Sequence, residues 1–110
     1  MPKGVFVVLT TAATPDQDQE FNDWYDKTHL PEVVEVPGIT SARRFKRVDA
    51  QTTDDASLGT DDVYLAIYEL DGDFATVAAE IPKRATDGTF TMTDSIRTDP
   101  PPRAVIFEEI

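Results

Sequence analysis

A short stretch of this chain carries the side chains best suited to chemistry. Trp24 and Tyr25 are followed four residues later by His29 and then by Pro31. Histidine is the usual general acid or base near neutral pH. Because Pro31 disfavours helical geometry at the residue before it, we expect a helix to end near His29, where the helix C-terminus would favour the imidazolium and raise its pKa. His29 is the candidate catalytic residue; the alternative is that it caps the helix end by bonding a carbonyl.

Aromatic side chains could form the walls of a site around His29. Trp24 and Tyr25 are adjacent, so one is expected to pack on a sheet and the other to lie towards the helix edge. Tyr64 and Tyr68 lie four positions apart on a third strand and therefore share one face, which we expect to point away from the helices. Tyr68 is a second candidate catalytic residue, and Trp24, Tyr25 and Tyr64 are candidate substrate contacts. The alternative is that these rings form the core or a dimer interface.

Four of the ten basic residues fall within five positions of one predicted strand. Arg43 and Arg47 share a face with Phe45, and Arg44 and Lys46 share the other. A guanidinium on one face suits an anionic ligand, so Arg43 and Phe45 are further candidate substrate-binding residues. The alternative is a set of surface ion pairs with the many acidic residues.

The elements that must position these residues follow from periodicity. Aromatic residues at i, i+3 and i+4 predict a helix from Thr14-Pro15 to His29, and a short turn of helix is expected over residues 31–35. A second helix is expected over residues 73–84, with Pro82 kinking it or ending it early. Strands are predicted over residues 5–9, 39–48, 63–70 and 103–108.

The order of these elements predicts a single α+β domain over residues 1–110. It is the β-α-β-β-α-β arrangement of the ferredoxin-like fold, a four-stranded antiparallel sheet with two helices on one face. The other face of the sheet is then uncovered, and the third strand is apolar on both faces. We expect two copies to pair through these faces as a C2 homodimer.

Composition excludes several classes of function. Ten basic against 21 acidic residues give a net charge of −11, which disfavours nucleic acid and anionic membrane surfaces as partners. The chain has no cysteine and one histidine, so thiolate chemistry and poly-histidine zinc sites are excluded. No phosphate-binding glycine loop or nucleotide fingerprint is present, so no cofactor and no metal are expected. The longest apolar runs are too short to span a membrane, and a cytoplasmic location is expected.

The stretch with Phe21, Trp24-Tyr25, His29-Leu30-Pro31 and then Val36-Pro37-Gly38 resembles the EthD-like branch of the dimeric α/β-barrel superfamily. The resemblance covers residues 5–45, and the rest agrees in topology. It implies a ferredoxin-like subunit whose sheet pairs with a second subunit to make a barrel. Ligands of that superfamily lie between sheet and helices or inside the barrel. Its members include cofactor-free monooxygenases, cyclases, isomerases, dehydratases and haem-degrading enzymes, so the fold does not fix the reaction.

Together these observations predict a cofactor-independent enzyme that acts on a small aromatic or polyketide-like molecule. His29 would move a proton, Tyr68 or Tyr25 would orient a phenol or carbonyl oxygen, and Arg43 would hold an anionic group. The chemistry would be that of a lyase, isomerase, dehydratase or cyclase. A non-catalytic ligand-binding accessory protein and a cofactor-free monooxygenase remain as alternatives.

Overall fold

The computed structural model describes residues 2–110 and contains one antiparallel sheet with helices on one face. The strands are β1 (Lys3–Thr10), β2 (Ile39–Lys46), β3 (Tyr64–Asp71) and β4 (Arg103–Glu108). They lie in the order β2-β3-β1-β4, and every neighbouring pair is antiparallel. This is the strand order of the ferredoxin-like plan, so the predicted α+β fold is confirmed.

The first helical region runs without a break from Pro15 to Val34 and changes its winding three times. A 3₁₀ turn (Pro15–Gln17) leads into α1 (Asp18–Trp24), a π-helical turn (Tyr25–His29) and α2 (Leu30–Val34). The prediction that the helix ends near His29 is wrong, because Leu30 keeps helical angles of φ −55° and ψ −49° and donates its N–H to the carbonyl of Tyr25. In an α-helix the ring of Pro31 would clash with the carbonyl of Lys27, four residues back. Lys27 lies in the π turn, which is wider than an α-helical turn.

The second helix, α3 (Phe74–Thr86), begins where the sequence predicts it. The Asp73 carboxylate caps its first turn by accepting the backbone N–H groups of Ala75 and Thr76 at 2.9 and 3.3 Å. Pro82 lies inside the helix, which continues to Thr86 instead of ending early. After this helix the chain returns towards α2, where Thr91 bonds Glu32.

The core lies between the sheet and the helices, and it corrects the predicted orientation of β3. Tyr64, Ala66, Tyr68 and Leu70 are buried under the helices, whereas Leu65 and Ile67 face the other way. The prediction that Tyr64 and Tyr68 point away from the helices is wrong. Both faces of β3 are apolar, so alternation alone shows which residues share a face but not which face is covered.

The opposite face of the sheet carries no layer in the described part of the chain, residues 2–110. Register pairs Arg43 with Ile67 and Phe45 with Leu65 on this open face. Val105 and Phe107 of β4 are half exposed there, at 50% and 55%. None of the described helices is long and apolar enough to cross a membrane.

Candidate functional site

His29 lies in an aromatic enclosure between the helices and the chain after α3. Its imidazole stacks on the indole of Trp24, with ring centres 4.6 Å apart and planes 18° from parallel. Tyr25 and Phe90 approach edge-on, with ring centres 5.0 and 5.6 Å from the imidazole. The π turn produces this arrangement, since Tyr25 and His29 mark its two ends. The imidazole is therefore surrounded by rings on at least three sides.

Burial changes the charge state expected for His29. Removal from water lowers the pKa of the imidazole to about 4, although the Glu32 carboxylate opposes this shift; the Arg44 guanidinium adds to it. The predicted rise of this pKa at a helix end is therefore wrong in sign. The buried Nδ1 atom has no hydrogen-bond partner among residues 2–110. At neutral pH the imidazole is therefore uncharged, which is the state a general base requires, and its lowered pKa makes it a weaker base than a free imidazole.

Tyr25, which contacts His29, is linked in the core to a second phenol, Tyr68. The Tyr68 hydroxyl donates a long hydrogen bond of 3.5 Å to the Tyr25 hydroxyl. Burial raises the pKa of Tyr25 and of Tyr68, so both phenols stay protonated at neutral pH. They can donate a hydrogen bond to a carbonyl or phenol oxygen, and neither is suited to act as a base.

Arg44 is the charged residue of this site, and the sequence prediction named its neighbour Arg43 instead. The Arg44 guanidinium lies 4.3 Å from the ring centre of Tyr25 and donates to Asp26 and Asn22 at 2.8 Å each. Its side chain is only 11% exposed. This placement fits a cation–π contact with Tyr25 that is held by two hydrogen bonds. Alternation along the strand puts Arg43 and Arg44 on opposite faces, so the sequence indicated that one of the two would lie under the helices.

The remaining predicted residues lie apart from His29. Arg43 is on the open face, 65% exposed, with its guanidinium 3.5 Å from the Glu69 carboxylate. Phe45 is on the same face and is 43% exposed. The Tyr64 hydroxyl accepts from Asn22 at 3.0 Å and donates to Asp18 at 2.8 Å. The structure thus brings His29, Trp24, Tyr25 and Tyr68 together and leaves Arg43 and Phe45 outside.

Residues 89–92, the covering segment, close the site from the side of α2. The backbone N–H and the hydroxyl of Thr91 donate to the two Glu32 carboxylate oxygens, each at 2.8 Å. The Trp24 indole N–H donates to the Thr91 carbonyl at 2.9 Å. These bonds hold Phe90, which is 3% exposed, against the imidazole. Glu32 and Thr91 could not be predicted from the sequence, because they lie 59 positions apart and match no local motif.

The described residues contain no group of three or more side chains arranged to hold a metal ion. His29 does not line the cleft of about 310 Å³ that lies between the loop after β2 and the sheet. The lining of that cleft includes Phe45 and Tyr64. His29 belongs to a packed aromatic cluster.

Comparison with known proteins agrees with the fold defined by this geometry. The structure is similar to the crystal structure of an ethyl tert-butyl ether D (EthD) family protein from Bacillus halodurans, with a TM-score of 0.54, 15% sequence identity and 100% coverage of both chains. No protein-family model matches the sequence, and no curated protein matches it. The chain therefore has an EthD-like fold, which confirms the resemblance at the level of the fold.

Proposed function

We propose that this protein is a cofactor-independent enzyme that moves protons on a small aromatic or polyketide-like molecule. The observation that carries the proposal is the aromatic enclosure of His29, whose buried Nδ1 atom has no hydrogen-bond partner among residues 2–110. Burying a polar nitrogen without a hydrogen bond is costly and calls for an explanation, of which a chemical role is one. The reaction class is that of a lyase, isomerase, dehydratase or cyclase.

The neighbouring side chains support defined roles in such a reaction. His29 would remove a proton from a carbon next to a carbonyl group, or from a phenol. The Tyr25 hydroxyl, backed by Tyr68, would donate a hydrogen bond to the oxygen on which negative charge develops. Arg44, above the Tyr25 ring, is a positioning residue that also favours negative charge nearby. The indole of Trp24 would provide a flat surface for an aromatic substrate.

Hydrogen–deuterium exchange at carbon tests the proposal without knowledge of the natural substrate. Aromatic 1,3-diketones in D₂O would be followed by NMR with and without the protein. We expect the protein to accelerate exchange of the acidic C–H, and His29→Phe to lower that acceleration by about 10²–10⁴-fold. Arg43→Met, on the open face, is the matched control and should keep full activity. Equal acceleration by wild type and His29→Phe would contradict a role for His29.

The proposed functional form is a homodimer in the cytoplasm. A second copy packed against the open face would cover the half-exposed Val105 and Phe107 of β4, the edge strand on the side of the sheet opposite β2. Contiguous apolar surface of this kind is typical of an interface. The resemblance to dimeric α/β barrels supports the same arrangement, and the acidic composition favours the cytoplasm.

A further inference from the structure

A cleft that shares no lining residue with the enclosure around His29 combines an apolar wall with basic side chains. It has a volume of about 310 Å³ and lies between the loop that joins β2 to β3 and the end of the sheet where β2 finishes and β3 begins. Leu9, Phe45 and Leu65 line it from the sheet, and Leu58 lines it from the loop. A cleft of this size is at the small end of the range for small-molecule sites.

The loop is held over this cleft by hydrogen bonds to its backbone. The Arg47 guanidinium donates to the carbonyl of Ala56, and the Arg103 guanidinium donates to the carbonyl of Leu58 at 3.3 Å. The backbone N–H of Arg47 also bonds the Val63 carbonyl at 2.8 Å, which fixes the end of β2. The cleft is therefore a built feature whose two sides are joined, and not a gap beside a free loop.

Charge in the cleft is not balanced within the described chain. Lys46 and Arg47 both line it, and neither forms an ion pair with a carboxylate in residues 2–110, although the sequence has 21 acidic and only 10 basic residues. Asp62, the acidic residue of the lining, is occupied by Arg97 at 2.8 Å. The guanidinium of Arg47 makes one hydrogen bond among the described residues, which leaves donors for a ligand.

We propose that this cleft binds a small monocarboxylate with an aromatic or branched apolar body. The carboxylate is held by Arg47, with Lys46 adding positive charge, and the body packs between Phe45 and Leu58. A carboxylate suits this lining, because Lys46 and Arg47 carry its unpaired positive charge and Asp62 is already paired with Arg97. This site is separate from His29, so it stands whether or not His29 is catalytic.

Three probes of similar shape and different charge test the proposal by NMR titration of the full chain: phenylacetate, phenylacetamide and 2-phenylethylamine. We expect phenylacetate to shift the amide signals of residues 45–47 and 56–58 and to bind at least about tenfold more tightly than the amide. The amine should bind more weakly still. The imidazole signal of His29, the sole histidine, should not move, which separates this site from the one around His29.

Two variants and one control make the outcome decisive. Arg47→Met should reduce phenylacetate binding to the level of the amide, and Arg43→Met, outside the cleft, should leave it unchanged. Because Arg47 also holds the loop, Leu58→Glu is the second variant: it adds negative charge at an exposed position and should abolish phenylacetate binding without changing the melting temperature. Equal affinity for acid and amide, no binding at millimolar concentrations, or shifts confined to residues 24–29 would overturn the proposal.

Discussion

The buried imidazole of His29 makes the stability of this protein depend on pH in a defined window. Its pKa is about 4 in the folded chain and 6.5 without the fold. Between these values the unfolded chain binds a proton at His29 that the folded chain does not bind. Unfolding is therefore favoured as the pH falls from 6.5 towards 4, and the loss reaches about 3 kcal/mol at the lower end.

Replacement of His29 by phenylalanine isolates this effect. His29→Phe keeps an aromatic ring between Trp24 and Phe90 but cannot titrate, so its stability should lack the His29 contribution. The shared contribution of the carboxylates cancels in the difference, including that of Asp61 and Asp73, whose pKa values are lowered by hydrogen bonds from Arg97 and Thr76 respectively. Urea unfolding of both proteins at a series of pH values measures the difference directly.

Two results would refute the reasoning. If wild type and His29→Phe lose stability in parallel between pH 6.5 and 4.5, the imidazole is not buried in its neutral form. The second refuting result is a midpoint at or above pH 6.5 when the sole imidazole is titrated by NMR. Such a midpoint would mean that the side chain is hydrated at a helix end. The expected midpoint is about 4. Because the chain has one histidine, the signal needs no assignment.

Three further perturbations test the surroundings of the site. Glu32→Ala removes both hydrogen bonds to Thr91 and should speed amide exchange in residues 90–92 about 5- to 30-fold, for a loss of about 1–2 kcal/mol; unchanged exchange would show that Glu32 does not hold the segment. Ile67→Asp places a charge in the open face and should turn a homodimer into a monomer in sedimentation; a monomeric wild type would contradict the dimer. Arg44→Met should cost about 1–3 kcal/mol in urea unfolding, whereas Arg43→Met should cost less than about 0.5; equal losses would argue against a special role for Arg44.

Local patterns were sufficient to predict the elements of this fold. The predicted final strand, residues 103–108, has the observed bounds, and α3 begins directly after Asp73, where the second helix was predicted to start. Phe21 and Tyr25, four residues apart on the predicted helix face, are both buried. These features depend on neighbours in the sequence, which is why propensity and periodicity are informative about them.

The faces of the sheet could not be predicted in this way, and one inversion accounts for several misplaced residues. Once β3 is turned so that Tyr68 lies under the helices, register brings Arg44 opposite Ala66 on the covered face and Arg43 opposite Ile67 on the open one. As a consequence Arg44, and not Arg43, lies beside Tyr25. A strand with apolar residues on both faces gives no local signal for the choice, which is made by the helices that pack on it.

The setting of His29 shows why a helix-end argument gave the wrong sign for its pKa. A helix C-terminus usually favours a cation by about 0.3–1 kcal/mol, whereas burial can shift a pKa by several units. Burial prevails here because the helix continues through the π turn and because Phe90 covers the imidazole. Phe90 is 61 positions along the chain from His29, beyond the reach of any local motif. Phe90 contributes to this burial together with Trp24 and Tyr25, so a movement of the covering segment that admits a substrate would also change the imidazole's affinity for a proton.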